Sequence, residues 1–337
     1  MKKEAMYAEK AGTENVRCLL CPHRCLIKPG KRGICRVRKN VNGTLVTETY
    51  GKLSAVHIDP VEKKPLYHFY PGRTILSIGS IGCNMHCDFC QNWDISQSSP
   101  DDFGNLMEHL PEELAEAAAE SKDNIGIAYT YNEPVVFYEM MIDTARLVHK
   151  RGKKNVAVTN AFIEPDPLQE LIPLMDAFNV DLKAFDNEFY RKYAGARLEP
   201  VKKNLEAMAR SGTHLEITNL IIPGLNDQPE KFREMVKWIA TELGEEVVLH
   251  LSRYFPQYKL HKPPTPEKTM LACYEMASEE LKYVYLGNMA GSPRTRNTWC
   301  PECGNLLIER TGYHIRIEGL DNRGCCGKCG TKVIAHH

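Results

Sequence analysis

Residues 74–92 read TILSIGSIGCNMHCDFCQN, an apolar, β-branched run that passes directly into a loop holding Cys83, Cys87 and Cys90. Residues 74–80 have the composition of a buried strand. Outward from that strand, short β-branched runs alternate with helical patterns as far as Gly287. PEELAEAAAESK opens with Pro111 and acidic residues in its first turn, as a helix N-terminus does. NIGIAYT, KNVAVTN, AFNVDLK, HLEITNLII, EVVLHLS and YVYLGN read as further strands. Helical patterns separate them over about 134–150, 165–174 and 266–281, and in EPVKKNLEAMARSG and PEKFREMVKWIATEL. Strands and helices alternating at this length imply parallel βαβ units and an α/β fold. Six such units predict a partial TIM-like (β/α)6 barrel, short of the usual eight. A doubly wound open sheet is the competing arrangement.

The strands give way to polar residues at their C-terminal ends. The series is Tyr129-Thr130-Tyr131-Asn132-Glu133, Thr159-Asn160, Asp181-Leu182-Lys183, Thr218-Asn219 and His250-Leu251-Ser252-Arg253. That edge of an α/β sheet is where loops converge and ligands bind. The first strand delivers its three cysteines to the same place.

The chain has 337 residues, and 43 Lys plus Arg balance 43 Asp plus Glu. No global field therefore points to nucleic acid or an anionic membrane. The start, MKKEAMYAEKAGTENV, lacks the apolar run of a signal peptide. No stretch approaches the roughly 20 apolar residues of a spanning helix. A cytoplasmic protein is expected, in which 13 cysteines point to metal or redox chemistry rather than disulfides. Cys273 stands alone and reads as a small buried apolar residue. His336 and His337 read as appended residues.

Cys-x3-Cys-x2-Cys is a loop around one compact object, and a cubane [4Fe–4S] cluster held at three corners suits it. After Cys90 the next cysteine is Cys273, so one iron is left without a nearby thiolate. Open coordination positions mark catalytic metal sites, and closed ones mark structural sites. A zinc ion completed by His86 or by a distant side chain is the alternative.

Cys83 through Cys90, with Phe89 before the last cysteine and the first strand of a βα-repeat chain ahead of them, resemble the radical S-adenosylmethionine (SAM) superfamily over about residues 67–291. The resemblance implies a cluster whose unique iron is chelated by the amino and carboxylate groups of SAM. It implies reductive cleavage to methionine and a 5′-deoxyadenosyl radical that abstracts hydrogen from a substrate. It puts Phe89 beside the adenine and Glu133 against the methionyl ammonium, with Tyr131-Asn132-Glu133 in place of the superfamily's Gly-Gly-Glu. Asn132 becomes a candidate for a side-chain hydrogen bond, and Thr159 and Asn160 become candidates for the ribose or the carboxylate.

Gly82-Cys83 through Cys90-Gln91-Asn92-Trp93-Asp94, with Asp181-Leu182-Lys183 and IPGLND at 222–227, is similar to the pyruvate formate-lyase activating enzymes, which install glycyl radicals. That likeness puts Asp181, Lys183 and His250 near SAM. A strand-end ion pair and a buried structural histidine are the alternatives. Asn92 and Asp94 are expected to order the cluster loop, the aspartate by an Asx-type turn. The whole chain looks closer still to the radical SAM component of the AmmeMemoRadiSam gene set, through CLLCPHRC, GKRGICRVR, DPVEKKPLYHFYPG, YTYNEP and NTWCPECG. Relatives of that component accompany AMMECR-family and Memo-family proteins. On EKKPLYH, Lys64 and His68 are candidate substrate contacts, and a solvated charge run is the other reading of Glu62, Lys63 and Lys64.

Cys300-x2-Cys303 and Cys326-x2-Cys329 are paired knuckles of a zinc ribbon, with Cys325 to spare. Cys18-x2-Cys21-x3-Cys25-x9-Cys35 is a complete four-thiolate set for zinc or for a second, closed cluster. Arg17, Arg24, Lys28, Lys31, Arg32, Arg36, Arg38 and Lys39 around it either offset thiolate charge or form a patch for RNA, although aromatics for base stacking are missing there. The expected organisation is a Cys-rich extension over 1–66, the barrel over 67–291 and the ribbon over 292–337. The expected activity is that of an anaerobic, activase-like radical SAM enzyme acting on a protein, a peptide or a small molecule. Flavodoxin or ferredoxin would be its one-electron donor. RNA modification and a non-catalytic iron–sulfur or zinc electron-transfer protein are the alternatives.

Overall fold

The structure, a computed structural model, describes residues 3–290 and 292–335; His336 and His337 lie outside the described residues. Its main sheet has eight strands: β1 (Ala55–Pro60), β2 (Thr74–Gly79), β3 (Asn124–Tyr129), β4 (Lys154–Thr159), β5 (Ala177–Asp181), β6 (His214–Ile221), β7 (Val248–Arg253) and β8 (Val284–Gly287). Spatial order follows chain order from β1 to β8. β2 to β8 pair in parallel. β1 runs antiparallel along β2, with Ala55 opposite Gly79 and Pro60 opposite Thr74. A doubly wound sheet reverses its strand order at a switch point. This one never reverses, so six βα units and a closing strand make the open, TIM-like partial barrel. β2, β3 and β5 are buried on both faces, hence their near-continuous apolar runs.

The main helices joining the parallel strands are α1 (Pro111–Glu120), α2 (Tyr138–Lys150), α3 (Pro165–Leu171), α4 (Leu198–Arg210), α5 (Pro229–Trp238) and α6 (Glu267–Ser278). α1 starts with Pro111 in its first turn, and the Leu110 amide donates to Glu113 Oε2 at 2.8 Å. The helix expected from residue 134 begins instead as a 3-10 turn, Pro134–Phe137, which the Glu133 carboxylate caps by accepting from the Val135 amide at 3.1 Å. The pattern after α5 continues as a π-helical turn, Ile239–Leu243, ended by Gly244 at φ +115°.

Both ends of the chain pack on the barrel. Two small N-terminal sheets form from Ala8–Lys10, Val16–Cys18 and Leu26–Ile27, and from Lys3–Glu4, Arg38–Val41 and Thr44–Thr47. Arg38 and Glu139 of α2 make a buried ion pair at 2.8 Å, and the Tyr7 hydroxyl donates to Glu170 of α3 at 2.6 Å. β1, within the stretch expected as an extension, belongs to the barrel sheet. At the other end Thr298–Trp299, Leu306–Thr311 and His314–Ile317 form an antiparallel sheet. Buried Arg310 joins it to the barrel, donating to the Tyr67 carbonyl at 2.9 Å and lying 4.3 Å over the Tyr67 ring. Among the described residues no helix is long and apolar enough to cross a membrane.

Candidate functional site

The cysteine loop leaves β2 through two close approaches. A Cβ on Gly79 would lie 2.6 Å from the Thr130 carbonyl oxygen. Gly82 adopts φ +84°, and a Cβ there would lie 2.5 Å from the Cys35 carbonyl oxygen. Beyond Gly82 the loop is stitched to distant backbone. The His86 amide donates to Ala194 at 2.8 Å and the Asp88 amide to Tyr193 at 2.9 Å. The Asp88 carbonyl accepts from Lys259 and Leu260 at 2.9 and 3.0 Å. Asn132 clamps the start of the loop, accepting from the Ser80 amide and donating to the Gly82 carbonyl, each at 2.9 Å. Asn92 donates to the Tyr131 carbonyl at 2.7 Å. Asp94 is exposed.

Cys83, Cys87 and Cys90 open on one cleft of about 520 Å³ at the C-terminal ends of the parallel strands. Phe89 and Asn92 line it from the same loop, Asn132 and Glu133 from beyond β3, and Thr159 and Asn160 from the end of β4. Asp181 and Lys183 line it from the end of β5. Burial pushes all three thiols up, Cys87 to about 12, so a cation bound there would be needed to make them thiolates. Three soft donors from one loop match iron–sulfur ligation. The Met85 amide reaches Cys83 Sγ at 3.3 Å and Asn160 Nδ2 reaches it at 3.8 Å, contacts of the kind that tune cluster potentials. His86 lies outside the lining, against Gly195.

Glu133 is buried and accepts from Thr159 Oγ1 at 2.6 Å, the Asn160 amide at 2.8 Å and the Val135 amide at 3.1 Å. About one of the four acceptor positions of a carboxylate is left. Burial raises the Glu133 pKa to about 7, and those three bonds hold it from rising further. A cation in the cleft therefore meets a carboxyl poised to ionise. Lys183 Nζ bonds Asp181 at 2.6 Å, and although burial opposes its charge, Asp181 holds the ammonium protonated. Asn226, in the 222–227 segment, fixes the Lys183 carbonyl at 2.8 Å.

His250 is not brought to the cleft. Its Nε2 lies 2.6 Å from Glu216, and its ring lies 4.7 Å from that of Tyr67. Glu216 also accepts from the Tyr67 and His68 amides at 2.9 and 2.7 Å and pairs with His214 at 2.9 Å. Burial opposes its charge, but the bonds to His214 and His250 hold the carboxyl well below the usual range. His68 is likewise internal, 2.7 Å from the Tyr285 hydroxyl, with its pKa lowered to about 3 by burial. Lys64 does line the cleft, held by Asp59 at 2.7 Å and lying 4.6 Å over the Tyr131 ring. The expected solvated run is thus half internal, since Glu62 and Lys64 are buried.

Sequence reasoning passed over Asn84, which donates to the Phe162 carbonyl at 2.7 Å and accepts from Asn160 at 2.9 Å. Its place inside the cysteine run was the available signal. Ser252, from the polar strand-end series, and Asn288, just past β8, are bonded at 2.9 Å and also line the cleft. Cys300, Cys303, Cys326 and Cys329 bring their sulfurs within 4.8 Å of one another and can hold one metal ion. Cys18, Cys21, Cys25 and Cys35 line a small chamber with Arg38. A groove of about 580 Å³, similar in size to the cleft, lies beside β8, but its one cysteine, Cys300, belongs to the ribbon set.

A loop of three thiols over the mouth of a parallel partial barrel defines a class. The profile of the radical SAM superfamily matches residues 77–239, from β2 through α5, and the chain belongs to that superfamily. It is an enzyme family whose chemistry uses a [4Fe–4S] cluster and SAM. Over 334 residues, 98% of each chain, the protein is 44% identical to Uncharacterized protein MJ0808 of Methanocaldococcus jannaschii. It is 27% identical over 174 residues to the benzylsuccinate synthase activating enzyme of Thauera aromatica, covering 51% of this chain and 53% of that one. The pyruvate formate-lyase-activating enzyme of Clostridium pasteurianum is 23% identical over 167 residues, 50% of this chain and 70% of that one. Streptococcus suis SuiB bound to precursor peptide SuiA shares the fold, with a TM-score of 0.50 and 13% identity over 68% of this chain and 51% of that one.

Proposed function

We propose that Cys83, Cys87 and Cys90 hold a [4Fe–4S] cluster with one iron open to SAM, and that the enzyme abstracts hydrogen from a substrate in the activase-like manner. When bound, cluster and SAM supply a one-electron reductive cleavage to methionine and a 5′-deoxyadenosyl radical. Glu133, ionised by a neighbouring cation, holds the methionyl ammonium, while Thr159 and the Asn160 amide fix its carboxylate. Phe89, packed 5.7 Å from Phe189, gives the adenine an apolar wall. Asp181 and Lys183 place a fixed charge pair at the same cleft. One observation supports this reading above the others: eleven of the twelve residues expected around the cluster and SAM line a single cleft, His250 being the exception.

The substrate class follows the activating-enzyme relatives, so we propose a protein or peptide residue ahead of a small molecule. AMMECR-family and Memo-family proteins are the partners to test first, a flavodoxin or ferredoxin the electron donor, and the cytoplasm the location. For the ribbon cysteines we propose zinc. The test is anaerobic reconstitution with iron and sulfide, addition of dithionite and SAM, and chromatography of the products. Formation of 5′-deoxyadenosine that Cys87→Ala abolishes is the expected result. Undiminished cleavage by that variant would sink the proposal.

A further inference from the structure

The first four cysteines stand apart from both sites above. Cys18, Cys21, Cys25 and Cys35 face one closed chamber walled by Leu20, Ile27, Val135 and Val136. Their spacing is informative beside the ribbon. A zinc ion with Zn–S bonds of about 2.3 Å puts its tetrahedral sulfurs about 3.8 Å apart. The ribbon sulfurs obey this, with Cys300 and Cys329 at 3.5 Å and Cys303 and Cys326 at 3.6 Å. Among the described residues, the ribbon set is the group of potential ligands whose donor atoms all lie within 4.8 Å of one another. The N-terminal sulfurs share a chamber but are spread wider than that. A cubane spreads its ligands in this way, since each thiolate ends on its own iron.

A second observation points to an anion in the chamber. Arg38 lines it and is 1% exposed. Its Nη2 donates to the Met6 carbonyl at 2.5 Å and to Glu139 at 2.8 Å, while Nε and Nη1 are buried with no hydrogen-bond partner. An unpartnered buried donor costs about 1–3 kcal/mol, more when charged. The sulfides and thiolates of a four-cysteine cubane carry net negative charge and accept such donors, as Cys25 Sγ already accepts from the Ile34 amide at 3.5 Å.

The N-terminal cysteine segment also touches the cysteine loop on both sides of Cys83. Asn84 lines the chamber, and His23 Nε2 lies 2.7 Å from the Asn84 carbonyl. Gly82 packs on the Cys35 carbonyl so closely that a Cβ would lie 2.5 Å from that oxygen.

We propose that Cys18, Cys21, Cys25 and Cys35 hold a second [4Fe–4S] cluster, closed by four thiolates and near enough to the Cys83 loop to pass it electrons. A low-potential one-electron donor of the flavodoxin or ferredoxin class reduces the second cluster by one electron. That electron then moves to the first, leaving the donor oxidised by one and no bond made or broken. Only the transfer rests on the reading of Cys83, Cys87 and Cys90 given above; the four-cysteine ligation stands without it.

The test uses the full chain, loaded anaerobically with ferrous iron and sulfide. About eight irons and one zinc per chain are expected. Cys83→Ala/Cys87→Ala/Cys90→Ala should keep about four irons, with a reduced EPR signal that SAM does not move. The fully reduced parent should show spin–spin broadening that is absent in this variant and in Cys21→Ser/Cys25→Ser. About four irons and two zincs in the unmutated chain would overturn the second cluster whether or not any variant folds. Two clusters without mutual broadening would overturn the transfer. A parent holding eight irons whose EPR ignores SAM would instead count against the open cluster, and would leave the N-terminal assignment standing.

Discussion

The ribbon cysteines and the loop cysteines are chemically the same donors in opposite settings. Cys300, Cys303, Cys326 and Cys329 close on one another within 4.8 Å at the edge of a small antiparallel sheet. An ion there has no position left to bind anything else. Cys83, Cys87 and Cys90 hang from the end of a parallel strand over a cleft that also exposes Glu133, Asp181 and Lys183. The difference is one of placement. On the proposed reading, a thiolate set becomes reactive where the fold leaves a coordination position facing charged, strand-end side chains. It becomes a staple where two knuckles face only each other.

The largest test of that contrast is to empty each set in turn and analyse metals. Cys90→Ala should lose the loop's iron and lower SAM cleavage by about 1000-fold or more while keeping the ribbon metal. Cys326→Ala should do the reverse, losing zinc and lowering Tm while cleavage stays within about threefold. Iron loss from the ribbon variant would erase the distinction.

A smaller effect is expected of Glu133→Gln, which should raise the KM for SAM by about 10–100-fold, as loss of a charge-assisted bond does. With a pKa of about 7, Glu133 gains its charge as pH rises through neutrality, so the KM of the parent should fall between pH 6 and 8 and that of the variant should stay flat. The unliganded fold runs the other way. It binds more protons here than the unfolded chain between the ordinary carboxylate value and about 7, so this group's contribution to stability declines as pH rises through that window.

Arg310→Met tests whether the ribbon is fastened as well as folded. Loss of its bonds to Thr298 at 2.7 Å and the Tyr67 carbonyl at 2.9 Å should cost about 2–4 kcal/mol, read as a lower Tm with both metal contents unchanged. The smallest effect belongs to Cys273, which is 1% exposed in α6 and has its thiol raised to about 12 by burial. Cys273→Ala should leave iron, zinc and activity unchanged and cost less than about 1.5 kcal/mol in urea unfolding.

The barrel was legible because its two periods are strong. Buried parallel strands such as TILSIG and AFNVD read as continuous apolar runs, and their polar ends marked the cleft. His250 misled because a histidine near a strand end looks alike whether it faces the mouth or the interior. The decisive partner, Glu216, lies 34 positions away on the neighbouring strand. Glu216 itself carried a signal, as a carboxylate in the middle of an apolar strand. Lys64 stood between a substrate contact and a solvated charge because its partners Asp59 and Tyr131 come from two different elements. β1 was missed because His57 and Asp59 break its apolar run and Pro60 ends it, at a sheet edge.

The N-terminal segment pairs its own strands locally but is tied to the barrel through residues made much later. Arg38 waits for Glu139, Tyr7 for Glu170 and Arg24 for Glu164, each pair more than 100 positions apart. Synthesis therefore releases this segment long before its docking surface exists. Such distant contacts are slow to form, because a long loop must close before they are rewarded. The ties of this segment to the barrel are therefore expected among the later contacts to form.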